Sequence, residues 1–97
     1  MTFLEMKSEF EVIIGQYAKF KLLELWYVPY SFGSGFAAYY VKGRNLKILY
    51  NGKDSVMIVF INPPHVKYPS KEETEIFYDS FNELVKKLPE ILRSNFP

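Results

Sequence analysis

Asn51-Gly52 lies between two runs of strand-type residues, Asn45 to Tyr50 and Asp54 to Ile61, and no other feature constrains the fold as much. Both central positions of the tightest hairpin turn require a positive φ, which Asn followed by Gly supplies at least cost. Gly43-Arg44 suits a second two-residue turn, preceded by strand residues Phe36 to Lys42. Upstream, Lys19 to Val28 is apolar toward both sides and rich in strand-forming types. Its link onward, Pro29-Tyr30-Ser31-Phe32-Gly33-Ser34-Gly35, reads as a loop from its Pro, Ser and Gly content. Connections this short join antiparallel neighbours, so a four-stranded meander is predicted.

Helical periodicity flanks the strands. Thr2-Phe3-Leu4-Glu5 has the form of a capping box, and Phe3, Met6, Phe10, Ile13, Ile14 and Tyr17 then share one face of a helix over 3–17. After the last strand, Asn62-Pro63-Pro64-His65-Val66-Lys67-Tyr68-Pro69 is predicted to be an extended linker, because its prolines oppose helix. Ser70-Lys71-Glu72-Glu73 looks like a second capping box, and Phe77, Phe81, Leu84, Val85, Leu88, Ile91 and Leu92 mark a second apolar stripe. Pro89 is expected to kink or restart that helix. The expected architecture is a single α+β domain over 1–97, in the order α-β-β-β-β-α. It is a two-layer sandwich with the N- and C-terminal helices packed on one face of the sheet.

Composition removes several chemistries. The chain of 97 residues has room for one domain, and the absence of cysteine excludes disulfides, thiolate metal sites and cysteine nucleophiles. His65 is the one histidine, with no second to share a metal and no triad around it. No cofactor and no metal are expected, and catalysis is not indicated. The longest apolar run, Val56 to Ile61, is far short of the ~20 residues that span a bilayer. The N-terminal Glu5, Lys7, Glu9 and Glu11 differ from a signal peptide. A cytoplasmic protein with no membrane partner is the expectation.

The unusual quantity is the aromatic content: nine Phe, eight Tyr and one Trp. Phasing the strands through the two turns puts Leu46, Ile48, Tyr50, Met57, Val59 and Ile61 on the helix side. Lys47, Leu49, Val56, Ile58 and Phe60 fall on the other, joined by Phe36, Ala38 and Tyr40. In the first strand, regular alternation forces either Lys21 or Glu24 inward. A mid-strand carboxylate is the costlier to bury, so Leu22, Glu24 and Trp26 are sent outward. The outer face is then Leu22, Trp26, Phe36, Tyr40, Leu49, Val56, Ile58 and Phe60, with Glu24 and Lys47 among them. Soluble monomers rarely expose so large an apolar patch. Either the face binds a partner, or the register is off by one, or the 29–35 loop and the 62–69 linker cover it.

Other motifs carry less. Gly33-Ser34-Gly35-Phe36-Ala37-Ala38 matches a dinucleotide fingerprint in letters, but a strand follows it where a helix is required. Tyr30 and Phe32 flank its glycines and form a possible ligand lip, or else a wide turn with its aromatics tucked against the sheet. Lys42, Arg44, Lys47 and Lys53 lie among tyrosines, as on sheets that stack bases, but a net charge of +1 disfavours nucleic acid. Glu75, Asp79 and Glu83 form an acidic stripe at helical spacing, read as a solvated face or a surface for a basic partner.

Pro29-Tyr30-Ser31-Phe32-Gly33-Ser34-Gly35, Lys42-Gly43-Arg44, Ile48 and Tyr50-Asn51-Gly52-Lys53-Asp54-Ser55 together resemble a pattern in small, uncharacterised bacterial single-domain proteins. The resemblance covers the central third of the chain and implies no activity. Some bacterial α+β proteins of this size look like immunity proteins, which bind a toxin without catalysing. The expected function is therefore a protein-interaction module that binds a second copy or another protein through the outer sheet face, an immunity-like or regulatory role included. The alternative is a binder of a small molecule or single-stranded nucleic acid at the same face and the 29–35 loop.

Overall fold

The computed structural model describes residues 1–62 and 74–97. Its elements are α1 (Phe3–Tyr17), β1 (Phe20–Val28), β2 (Ser34–Val41), β3 (Arg44–Asn51), β4 (Val56–Ile61), β5 (Thr74–Tyr78) and α2 (Phe81–Asn95). The five strands pair antiparallel in the order β1-β2-β3-β4-β5. The α+β class and the antiparallel meander are as expected, but the sheet has five strands, not four.

Helix α1 begins where the sequence indicates. The Thr2 hydroxyl accepts from Glu5 N at 3.2 Å, and the Glu5 carboxylate accepts from Thr2 N at 3.0 Å. Its Phe3, Met6, Phe10 and Ile14 are buried against the sheet. Helix α1 packs over β1 and β2, α2 over β4 and β5, and the two helices against each other. Leu84, Leu88, Ile91 and Leu92 of α2 complete the core, with Tyr39, Leu46, Ile48, Met57, Val59 and Ile61 beneath. Tyr39 carries a polar atom into this layer and satisfies it: its hydroxyl donates to Glu11 Oε2 at 3.0 Å, and Lys7 pairs with the same oxygen at 2.6 Å. Burial, then the Glu11 hydrogen bond and charge, push the Tyr39 phenol well above its usual range.

The second helix starts later than the stripe suggests. Thr74 to Tyr78 is β5, because Ile76, Phe77 and Tyr78 are strand-forming types and the true helix cap lies beyond them. Ser80 Oγ accepts from Glu83 N at 3.1 Å, and Glu83 accepts from Asp79 N at 3.2 Å. The four-residue step from Phe77 to Phe81 thus crosses a strand, a turn and a cap. The acidic stripe dissolves in the same way, with Glu75 in β5, Asp79 in the turn and Glu83 at the cap. The expected capping box at 70–73 and the linker residues 63–69, His65 included, lie outside the described residues. Helix α2 runs unbroken through Pro89.

Both hairpins differ from the expected turns. Lys42 and Gly43, at φ 47° and 82°, form the β2–β3 turn, so Val41 pairs with Arg44 and Tyr40 with Asn45 rather than Lys47. The β3–β4 connection is the four residues 52–55, and Tyr50 pairs with Met57, not Lys53. Asn51 shapes it as an Asx-turn, its Oδ1 accepting from Lys53 N at 3.1 Å. These registers slip by two and four positions, both even, so every residue stays on its expected side of β2, β3 and β4.

Strand β1 resolves its own dilemma with a bulge. Leu22 pairs with Tyr39 and Glu24 with Ala38, leaving Leu23 as an extra residue. Lys21, opposite Tyr40, and Glu24, opposite Ala38, therefore both lie on the outer side. Neither charge is buried. Phe20 points inward and meets Tyr39 edge-on at 5.6 Å between centroids.

Candidate functional site

With both helices on one side, the other side of the sheet has no layer over it among the described residues. Register builds two cross-strand rows there. One is apolar across all five strands: Trp26, Phe36, Leu49, Ile58 and Phe77. The next is Glu24, Ala38, Lys47, Phe60 and Glu75. Tyr40 lies beyond it opposite Lys21 and Asn45, and Val56 flanks the apolar row opposite Asn51.

The rows are organised internally. Trp26 and Phe36 stack at 5.8 Å between centroids with planes 26° apart, within the range in which aromatic pairs attract. Lys47 lies flat on the face, its Nζ 4.1 Å from the Phe36 ring centre and 5.5 Å from that of Phe60. Contacts of this kind hold a cation by the negative face of the ring. Among the described residues, Lys47, Glu24 and Glu75 make no ion pair within 4.0 Å.

Exposure separates the centre of the face from its margins. Leu49, Ile58 and Phe60 are half-buried among their neighbours, whereas Trp26 and Tyr40 are each 47% exposed and Phe77 62%. Seven of the eight residues expected on this face are there: Trp26, Phe36, Tyr40, Leu49, Val56, Ile58 and Phe60. Leu22 is the correction. Its pairing with buried Tyr39 puts it on the helix side, because the bulge at Leu23 shifts the alternation. Phe77 and Glu75 belong to the face and were missed, since their spacing to the next helix hid a strand.

The loop at 29–33 does not cover the face. Tyr30 and Phe32 project into solvent, 92% and 68% exposed, so neither tucks against the sheet. Phe32 and Gly33 are both left-handed, at φ 57° and 73°. A bulky residue there costs roughly 1–2 kcal/mol. Because Phe32 buries little, Phe32→Asn is expected to raise stability by about 1 kcal/mol; urea unfolding measures it, and an unchanged midpoint would mean that the φ carries no strain. The Gly33-Ser34-Gly35 motif leads directly into β2, which starts at Ser34, so no helix N-terminus stands over it.

Among the described residues, no three His, Asp or Glu side chains come together as a metal cluster. No helix among them is long and apolar enough to cross a membrane. The arrangement offers a broad apolar and aromatic surface with a few fixed charges, suited to recognition. No protein-family model matches the chain, and no curated protein or solved structure shows significant similarity to it.

Proposed function

We propose that this protein is a non-catalytic interaction module whose working surface is the outer face of the sheet, with a second copy of the chain as its first partner and another protein as the other. An immunity-like or regulatory role is one form of that function. The observation carrying the reading is the apolar row from Trp26 to Phe77, which crosses every strand with no second layer among the described residues. Trp and Tyr are the residue types that dominate interface energetics, and both stand half exposed here. Among the described residues the charges of the face balance, Lys21 and Lys47 against Glu24 and Glu75. That gives nucleic acid no net basic footprint.

Analytical ultracentrifugation from about 1 µM to 1 mM, the range of weak association, tests the reading. The wild type is expected to rise from the monomer mass toward twice that value, and Phe36→Ser or Leu49→Ser to remain monomeric while retaining wild-type circular dichroism. If the variants associate as the wild type does, the face is not the interface. Doubling the salt is expected to leave the association largely in place, whereas single-stranded nucleic acid held by phosphate contacts would be released steeply.

A further inference from the structure

We infer that the second copy docks with its two-fold axis running along β2, so that Glu24 of each chain meets Lys47 of the other. The inference rests on the reading of the outer face as an interface and adds which residues meet. Glu24, Ala38 and Lys47 occupy one cross-strand row on β1, β2 and β3. The two residues stand two strand spacings apart at the backbone, about 10 Å, with the small Ala38 between them in the row. Lys47 Nζ rests against the Phe36 and Phe60 rings, and neither charge has an ion-pair partner among the described residues. Opposite charges placed symmetrically about one strand form a self-complementary pattern. Rotation about that strand carries each charge onto the other.

The alternatives are less favourable. An axis along β3 gives the greatest overlap, but it sets Lys47 against its own copy and Glu24 against Glu75. Like charges facing each other across an interface exclude an arrangement strongly. An axis along β4 pairs Lys47 with Glu75, yet leaves the stacked Trp26–Phe36 pair and Tyr40 in water. Along β2, Phe36, Ala38 and Tyr40 lie on the axis and Trp26 faces Leu49 of the other copy. This buries the aromatic residues most suited to anchor a contact. The overlap is three strands wide, about 15 Å. An overlap of three of the five strands is a small contact, and a dissociation constant in the micromolar range or weaker is expected.

The test reverses the two charges separately. Glu24→Lys and Lys47→Glu are each expected to weaken self-association by at least about 30-fold, since each brings like charges together at both crossings. The double variant is expected to return to within about 3-fold of the wild type, the scatter normal for such contacts. An equimolar mixture of the two single variants, each monomeric alone, is expected to form a heterodimer at wild-type concentrations. Changes within one folded chain do not produce that result. Glu24→Lys lies on an exposed strand and tests the contact even if Lys47→Glu folds poorly. A mixture that stays monomeric while the wild type dimerises overturns the inference and leaves the face as the interface. Disruption by Glu75→Lys but not Glu24→Lys moves the axis to β4 and also overturns it. A wild type that is monomeric up to 1 mM overturns it together with the self-association reading.

Discussion

Replacing Phe96 with alanine is expected to cost roughly 3–5 kcal/mol, as for a fully buried aromatic ring. Phe96 is held at several points. The ring has no solvent exposure and lies 5.9 Å from the Arg44 guanidinium carbon. The Tyr17 hydroxyl donates to the Phe96 carbonyl and Arg44 Nη1 to that of Asn95, so residues from α1 and β3 hold the last carbonyls. Arg44 is itself fixed by donating from Nε to Asn62 Oδ1 at 3.0 Å. For a domain of this size, such a loss lowers the melting temperature by about 15–30 °C. Urea unfolding of Phe96→Ala beside Phe96→Leu measures it, the leucine variant losing much less because it fills most of the volume. A loss below 1 kcal/mol would show that the Phe96 ring is not part of the core.

The second large effect is expected at Gly52. A Cβ there would lie 1.8 Å from the carbonyl oxygen of Phe32 and 2.6 Å from its carbonyl carbon. Those are backbone atoms, so rotamer changes give no relief. Gly52 N also donates to Ser34 Oγ at 2.9 Å, fixing the β3–β4 connection to the start of β2. Gly52→Ala must separate these segments, and an overpacking cost of about 2–3 kcal/mol is expected. Gly43 provides the contrast. Its φ is 82° and the nearest atom to its Cβ position is 3.9 Å away, so Gly43→Ala carries only the conformational cost, about 1 kcal/mol. Chemical denaturation of both variants checks the order. If Gly43→Ala costs more, the close approach at Gly52 is relieved by local movement.

The contrast between these glycines also shows how far the fold can be read from the chain. Asn51-Gly52 marks a turn correctly, but for a different reason: the glycine is needed for close approach, and the Asn side chain bonds the backbone beyond it. The resulting connection is longer than two residues, yet the pairing slips by an even number. The two sides of β2, β3 and β4 survive the error because sheet faces depend only on parity. Two features were not legible. The β1 bulge conserves neither spacing nor parity, and its one trace in the sequence is the conflict between Lys21 and Glu24, which no regular strand can satisfy. Strand β5 is hidden because Phe77, in the strand, precedes Phe81, in the helix, by a helical interval through coincidence. Ser80 with Glu83 was the available signal, a cap at the right distance before Leu84 and Leu88. Of the outer face, Lys21, Leu22, Phe77 and Glu75 are misplaced by the sequence reading through these two causes alone.

The bulge in β1 also bears on how such a sheet can grow. An edge strand of nine residues offers a row of free backbone groups onto which another strand could add. Each addition would expose a fresh edge, so growth has no natural end. An extra residue twists the strand out of line with any straight template, and Lys21 and Glu24 set charges on either side of the irregularity. Open-ended polymerisation along the edge is thereby discouraged, whereas the proposed two-fold pairing through the β1–β3 part of the face would close at two.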